Sequence, residues 1–226
     1  MNQILLFILP ILAVFLGLGV AYIFKPQVAN GVKLLLAFSG AFLLSVTVLE
    51  FLPEIYNAEF EKIGIFIMLG ILLQILLEFL SRGAEHGHLH LDENSTQMPW
   101  ALFVSLCIHS AFEGFPLSGN QDLLYGVVIH KIPVAVIIST FLLISNISRI
   151  KVFTFLLIFA LMTPLGSLLG QQDIFSTTVK TGINALVVGI LLHVSTTILF
   201  ESSKNHQFNA QKFIIIILGI FIAYLL

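Results

Sequence analysis

The chain is 226 residues long, 58% hydrophobic and only 10% charged, with a mean hydropathy of +1.05. A soluble domain carries about 25% charged residues, so that class is excluded. The formal charge of −2 offers no concentrated basic face for nucleic acid, and the single cysteine, Cys107, leaves neither an intrachain disulfide nor a cysteine-based metal site.

A helix needs about 20 mostly apolar residues to cross the hydrocarbon core. In chain order such stretches cover 4–24, 34–52, 63–80, 100–117, 123–144, 152–169, 183–200 and 213–226, the last of them short. They are continuously apolar and so do not read as the alternating strands of a membrane barrel. The first stretch is too long for a signal peptide, has no basic n-region, and ends at Lys25-Pro26 without a small-residue cleavage pattern. The expected fold is therefore all-α and polytopic, with eight transmembrane helices in one transmembrane domain over 1–226. With the N-terminus outside, the inner connections carry Lys25, Lys33, Arg82, Arg149, Lys151, Lys204 and Lys212, and the outer ones only Lys62 and Lys180. Positive charge collects on the inner side, so both termini are expected outside.

Most connections are short. The exception, 81–99, lies inside on the charge count and contains Glu85-His86-Gly87-His88-Leu89-His90-Leu91-Asp92-Glu93. Alternating histidines flanked by carboxylates chelate first-row metals loosely, because a flexible loop can wrap them. Without cysteine or a fixed spacing, this loop is not expected to be a structural metal site.

Ionisable groups inside a span cost several kcal/mol and mark functional sites by default. The fourth and fifth stretches hold four of them. His109 and Glu113, in His109-Ser110-Ala111-Phe112-Glu113-Gly114, are four apart and share a helix face. His130 and Lys131 open His130-Lys131-Ile132-Pro133-Val134. Glu113 lies eight residues before the loop centre near Gln121 and His130 nine after it, so an antiparallel hairpin brings them to nearly equal depth. Two imidazoles and a carboxylate are good zinc ligands, and three protein ligands leave a coordination position open for exchange. Interhelical hydrogen bonding is the alternative use of the same groups. Pro133 weakens the fifth helix by freeing the carbonyl near Ile129. Lys131 borders the same cavity, where its ammonium repels a second cation and can pair with Glu113.

Other polar residues point less directly to a role. Glu50 and Glu54 suit an outer vestibule or an interfacial cap. Glu78, four residues before Arg82, reads as an i,i+4 ion pair. His193 either lines a path or is a hydrogen-bonded core residue, and Glu201 sits at an inner helix end.

The run from His109 to Gly114 resembles the histidine–x–x–x–glutamate–glycine signature in the fourth span of the ZIP (Zrt-/Irt-like) metal transporters, and His130-Lys131-Ile132-Pro133 is similar to that family's fifth-span motif. Phe38-Ser39-Gly40-Ala41-Phe42-Leu43, Leu52-Pro53-Glu54 and Met162-Thr163-Pro164-Leu165-Gly166 extend the likeness over most of the chain. The resemblance implies a bundle of three, two and three spans and a cell-membrane (inner or plasma membrane) location. It implies entry of zinc, iron or manganese towards the cytoplasm, with His109, Glu113 and His130 binding the ion. It also implies a homodimer, with the metal as cargo and no cofactor. Some family members hold two adjacent metals with an amide after the histidine and acidic residues in the fifth span. Ser110, Lys131 and Val134 stand at those places here, so one metal is expected. The competing class, an intramembrane zinc hydrolase, needs a general acid or base beyond the ligands; no H-E-x-x-H motif and no spare Asp within a span supplies one.

Overall fold

The computed structural model describes residues 3–24, 30–81, 97–201 and 210–226. The histidine-rich run with His86, His88 and His90 lies outside them, as does Arg82. Among the described residues all regular structure is helical. The first span is α1 (Gln3–Phe24). The second is a composite of α2 (Asn30–Val46), a π turn (Thr47–Phe51) and α3 (Leu52–Tyr56), and the third is α4 (Ile63–Ser81). α5 (Trp100–Gly114) runs into a 3-10 turn (Phe115–Ser118), after which α6 (Gln121–Ile144) returns antiparallel to it. α7 (Arg149–Gln171), α8 (Thr177–Glu201) and α9 (Ala210–Tyr224) complete the chain.

Local chemistry sets where these helices start and stop. The second span was expected to end at 52 but continues to Tyr56. Pro53 has no N–H to give, and the chain passes it through the π turn, where the Leu52 N–H reaches back to the Thr47 carbonyl. Pro53 then falls in the first turn of α3, where a missing donor costs nothing. α6 starts at Gln121, ahead of its apolar stretch, because the Asn120 side chain caps it by accepting from the Leu123 N–H at 2.8 Å. α8 begins at Thr177, six residues before the apolar stretch, because Thr177, Thr178, Lys180 and Thr181 are helical without being apolar.

Among the described residues, seven helical segments are long and apolar enough to cross a bilayer. α9 has 15 residues, about 22 Å at 1.5 Å per residue, and is the short one. The pattern of exposure is inverted relative to a soluble protein. In α1, Leu5, Ile8, Leu12 and Leu16 face outward while Ala13, Gly17 and Ala21 are buried; on α4, Ile65, Met68, Leu72 and Phe79 are exposed while Gln74 is fully buried. Apolar side chains outside, with small and polar ones inside, suit lipid as solvent. The chain is a multi-pass membrane protein.

α1 packs along α6, α4 along α8, α2 along α9 and α5 along α7. One apolar cluster centres on Leu106, Ile137, Phe155 and Phe159, and a second on Phe42, Phe51, Leu123 and Val188. Glycines let the paired helices touch backbone to backbone. A methyl group on Gly114 or Gly166 would overlap the carbonyl of Thr163 or Ala111 across α5–α7, and one on Gly70 or Gly189 would overlap Leu186 or Ile67 across α4–α8.

Candidate metal centre

The inward face of α5 presents Ser105, His109 and Glu113 at steps of four, all buried. Glu113 is 1% exposed, so its charge needs partners within the protein. On one side the Lys131 ammonium of α6 contacts Oε1, which also accepts from Thr163 Oγ1 of α7 at 2.9 Å. On the other side Oε2 lies 3.4 Å from Nε2 of His109, one helical turn away. Lys131 in turn donates to Ser110 Oγ at 3.1 Å and stands 4.8 Å from the ring centroid of Phe159. The pairing of Lys131 with Glu113, open in the sequence, is therefore formed.

The ring of His109 is held from the third span. Its Nδ1 lies 3.0 Å from Gln74 Oε1, which leaves Nε2 facing Glu113. The ring is thus oriented with Nε2, an atom able to ligate a metal once it carries no proton, towards the Glu113 carboxylate.

His130 is buried on α6 at 3% exposure. Among the described residues, however, no three His, Cys, Asp or Glu side chains form a metal-holding group. His109 and Glu113 stand together and His130 does not complete a triad with them. Neighbouring side chains on a helix diverge by about 100°, so turning Lys131 onto Glu113 carries His130 round α6. Gln74 and Thr163 were not singled out from the sequence. Neither titrates, and amides and hydroxyls in spans are commonly satisfied locally, as Ser39, Thr47 and Ser195 are on carbonyls of their own helices.

The remaining polar residues have separate places. Glu54 Oε2 accepts from Asn120 Nδ2 at 3.0 Å and ties the end of the second span to the start of α6. Glu50 is exposed in the π turn. Glu78, expected to pair with Arg82, contacts His193 of α8, with Nε2 and Oε2 2.6 Å apart.

A model of the ZIP zinc transporter family matches residues 82–226, more than half of the chain. The chain belongs to the ZIP zinc transporter family. The matched ZIP region contains α5–α9 and with them His109, Glu113, His130, Lys131 and Thr163; Gln74 and Glu78 on α4 precede it. Curated relatives include Protein zntD of Dictyostelium discoideum, 24% identical over 150 residues (57% of this chain, 22% of zntD). Zinc transporter ZIP1 of Danio rerio is 25% identical over 140 residues, which are 59% of this chain and 46% of that protein. The matches thus span less than half the length of either of these curated relatives.

Proposed function

We propose that this ZIP-family chain carries a divalent cation, zinc first and iron or manganese as alternatives, across the cell membrane towards the cytoplasm. The ion binds between α5 and α6 on His109, Glu113 and His130. The observation that carries this reading is the buried Glu113 carboxylate, which faces Nε2 of His109 on one side and is neutralised by Lys131 on the other. A tethered ammonium holds the place that a mobile cation takes. An arriving ion displaces Lys131 from Glu113, binds Nε2 of His109, and gains His130 when α6 turns. Because the displaced ammonium stays in the cavity, one ion is bound at a time. Inward direction rests on the excess of Lys and Arg at the end where α4, α6 and α8 finish.

Zinc-65 uptake by purified protein in proteoliposomes tests this. Alanine at His109, Glu113 or His130 is expected to lower the rate at least about tenfold, since each removes a ligand, with insertion near normal. Unchanged uptake in all three single variants overturns the assignment.

Gln74 acts as a positioning residue for His109. Gln74→Leu removes the side chain that Nδ1 contacts and frees the ring to turn. Zinc affinity is expected to fall about 10- to 100-fold, the usual effect of losing such a partner. Gln74→Glu keeps an acceptor oxygen and should restore binding. Equal weakening by both variants would mean that Gln74 serves packing alone.

A further inference from the structure

A second pair of metal-binding side chains lies further along the bundle. Glu78 of α4 and His193 of α8 meet with 2.6 Å between Oε2 and Nε2, and their side chains are 21% and 19% exposed, against 1% for Glu113. Glu78 follows Gln74 by one helical turn, so one face of α4 reaches both His109 and His193. Depth is set by Ser105 of α5, whose Oγ donates to the Leu77 carbonyl at 2.6 Å. Ser105 precedes Glu113 by eight residues, about 12 Å along the axis at 1.5 Å per residue. The pair therefore stands about two turns from the Glu113 centre, towards the end where α4 finishes and α5 begins.

We propose that Glu78 and His193 form a second cation-binding station, through which a divalent ion passes between the Glu113 centre and water on the inner side. The assignment of that side as the exit rests on the direction proposed above. Imidazole and carboxylate are ligands for first-row divalent ions, and two of them leave most of the coordination shell to water, which suits brief occupancy. Partial exposure of both groups at this depth fits a water-filled opening, because hydrocarbon would penalise them by several kcal/mol. On binding, the ion takes the carboxylate and the lone pair of Nε2, and the imidazole stays neutral by carrying its one proton on Nδ1.

The alternative is a hydrogen-bonded strut between α4 and α8, and two substitutions of His193 separate them. His193→Gln keeps a donor for Glu78 but is a poor ligand for soft metals, whereas His193→Cys is a strong cadmium ligand and a weak strut. The test counts cadmium by equilibrium dialysis in a background of H109A, E113Q and H130A with His86, His88 and His90 changed to serine. One cadmium per chain is expected in that background, none after His193→Gln, and one after His193→Cys, with a thiolate-to-cadmium absorption band. No cadmium in the folded background, or equal binding by the His193→Gln variant, overturns the proposal. Should the combined background fail to fold, the same count on the otherwise native chain decides, the expected result being one cadmium fewer after His193→Gln. Zinc uptake by the background judges the Glu113 reading separately: continued transport would refute that centre without altering the cadmium count.

Discussion

Replacing Lys131 with methionine will lower the thermal stability of the metal-free protein, and zinc will restore it. Methionine keeps an unbranched apolar stem but removes the charge that contacts Glu113, donates to Ser110 and faces the Phe159 ring. Breaking one side of a buried pair leaves the other charge uncompensated, a loss of about 3–5 kcal/mol. The double variant E113Q/K131M removes both charges and should recover much of that loss, so a double-mutant cycle will show strong coupling. Zinc acts through the same carboxylate. A ligand that binds only the folded state adds about 2.7 kcal/mol at 100 times its Kd, and in K131M no ammonium has to be displaced first. The shift in melting temperature on adding zinc should therefore be larger in K131M than in the native chain, still with one ion at this site. Identical metal-free melting of K131M and the native protein would show that the pair contributes nothing to the fold.

Enlarging Gly166 is the second change with a large expected effect. Gly114, Gly166 and Gly170 lie along the contact between α5 and α7, opposite Thr163, Ala111 and Phe115, and added methyl groups would collide with those backbone carbonyls. A flexible side chain can rotate away from a clash, but a helix carbonyl cannot. Gly166→Leu must therefore push the helices apart. Overpacking of this kind costs about 1–3 kcal/mol. Here it also separates Glu113 from Thr163, which donates to it from α7 at 2.9 Å. The expected outcome is a lower melting temperature with zinc uptake reduced about tenfold or more, since sub-ångström placement governs a polar site. Gly19→Ala is the control: nothing lies within 4 Å of the added methyl, and helix propensity favours alanine by roughly 0.5–1 kcal/mol. Native melting and uptake in Gly166→Leu would disprove the tight α5–α7 contact.

Much of the architecture was legible in the residues because lipid leaves a chain few choices. Backbone polar groups must be satisfied within the segment, so each long apolar stretch is helical. The limits of the helices were less legible. Hydropathy is blind to the Asn120 cap, to the polar first turns of α8 from Thr177, and to the π turn that carries the second span past Pro53. His109 and Glu113 were legible as a pair because i,i+4 neighbours meet in any helix.

What the sequence by itself determined is the set of apolar helices, the excess of positive charge at one end of them, and the local His109–Glu113 face. Only the tertiary structure decided that Lys131 meets Glu113, that Gln74 and Thr163 contact the His109–Glu113 pair, and that Glu78 contacts a histidine 115 positions away. Periodicity defines the faces of one helix but not the angle at which it turns towards the next. That angle is set by close approach at small residues such as Gly70, Gly114, Gly166 and Gly189, a property of paired surfaces that no single segment contains.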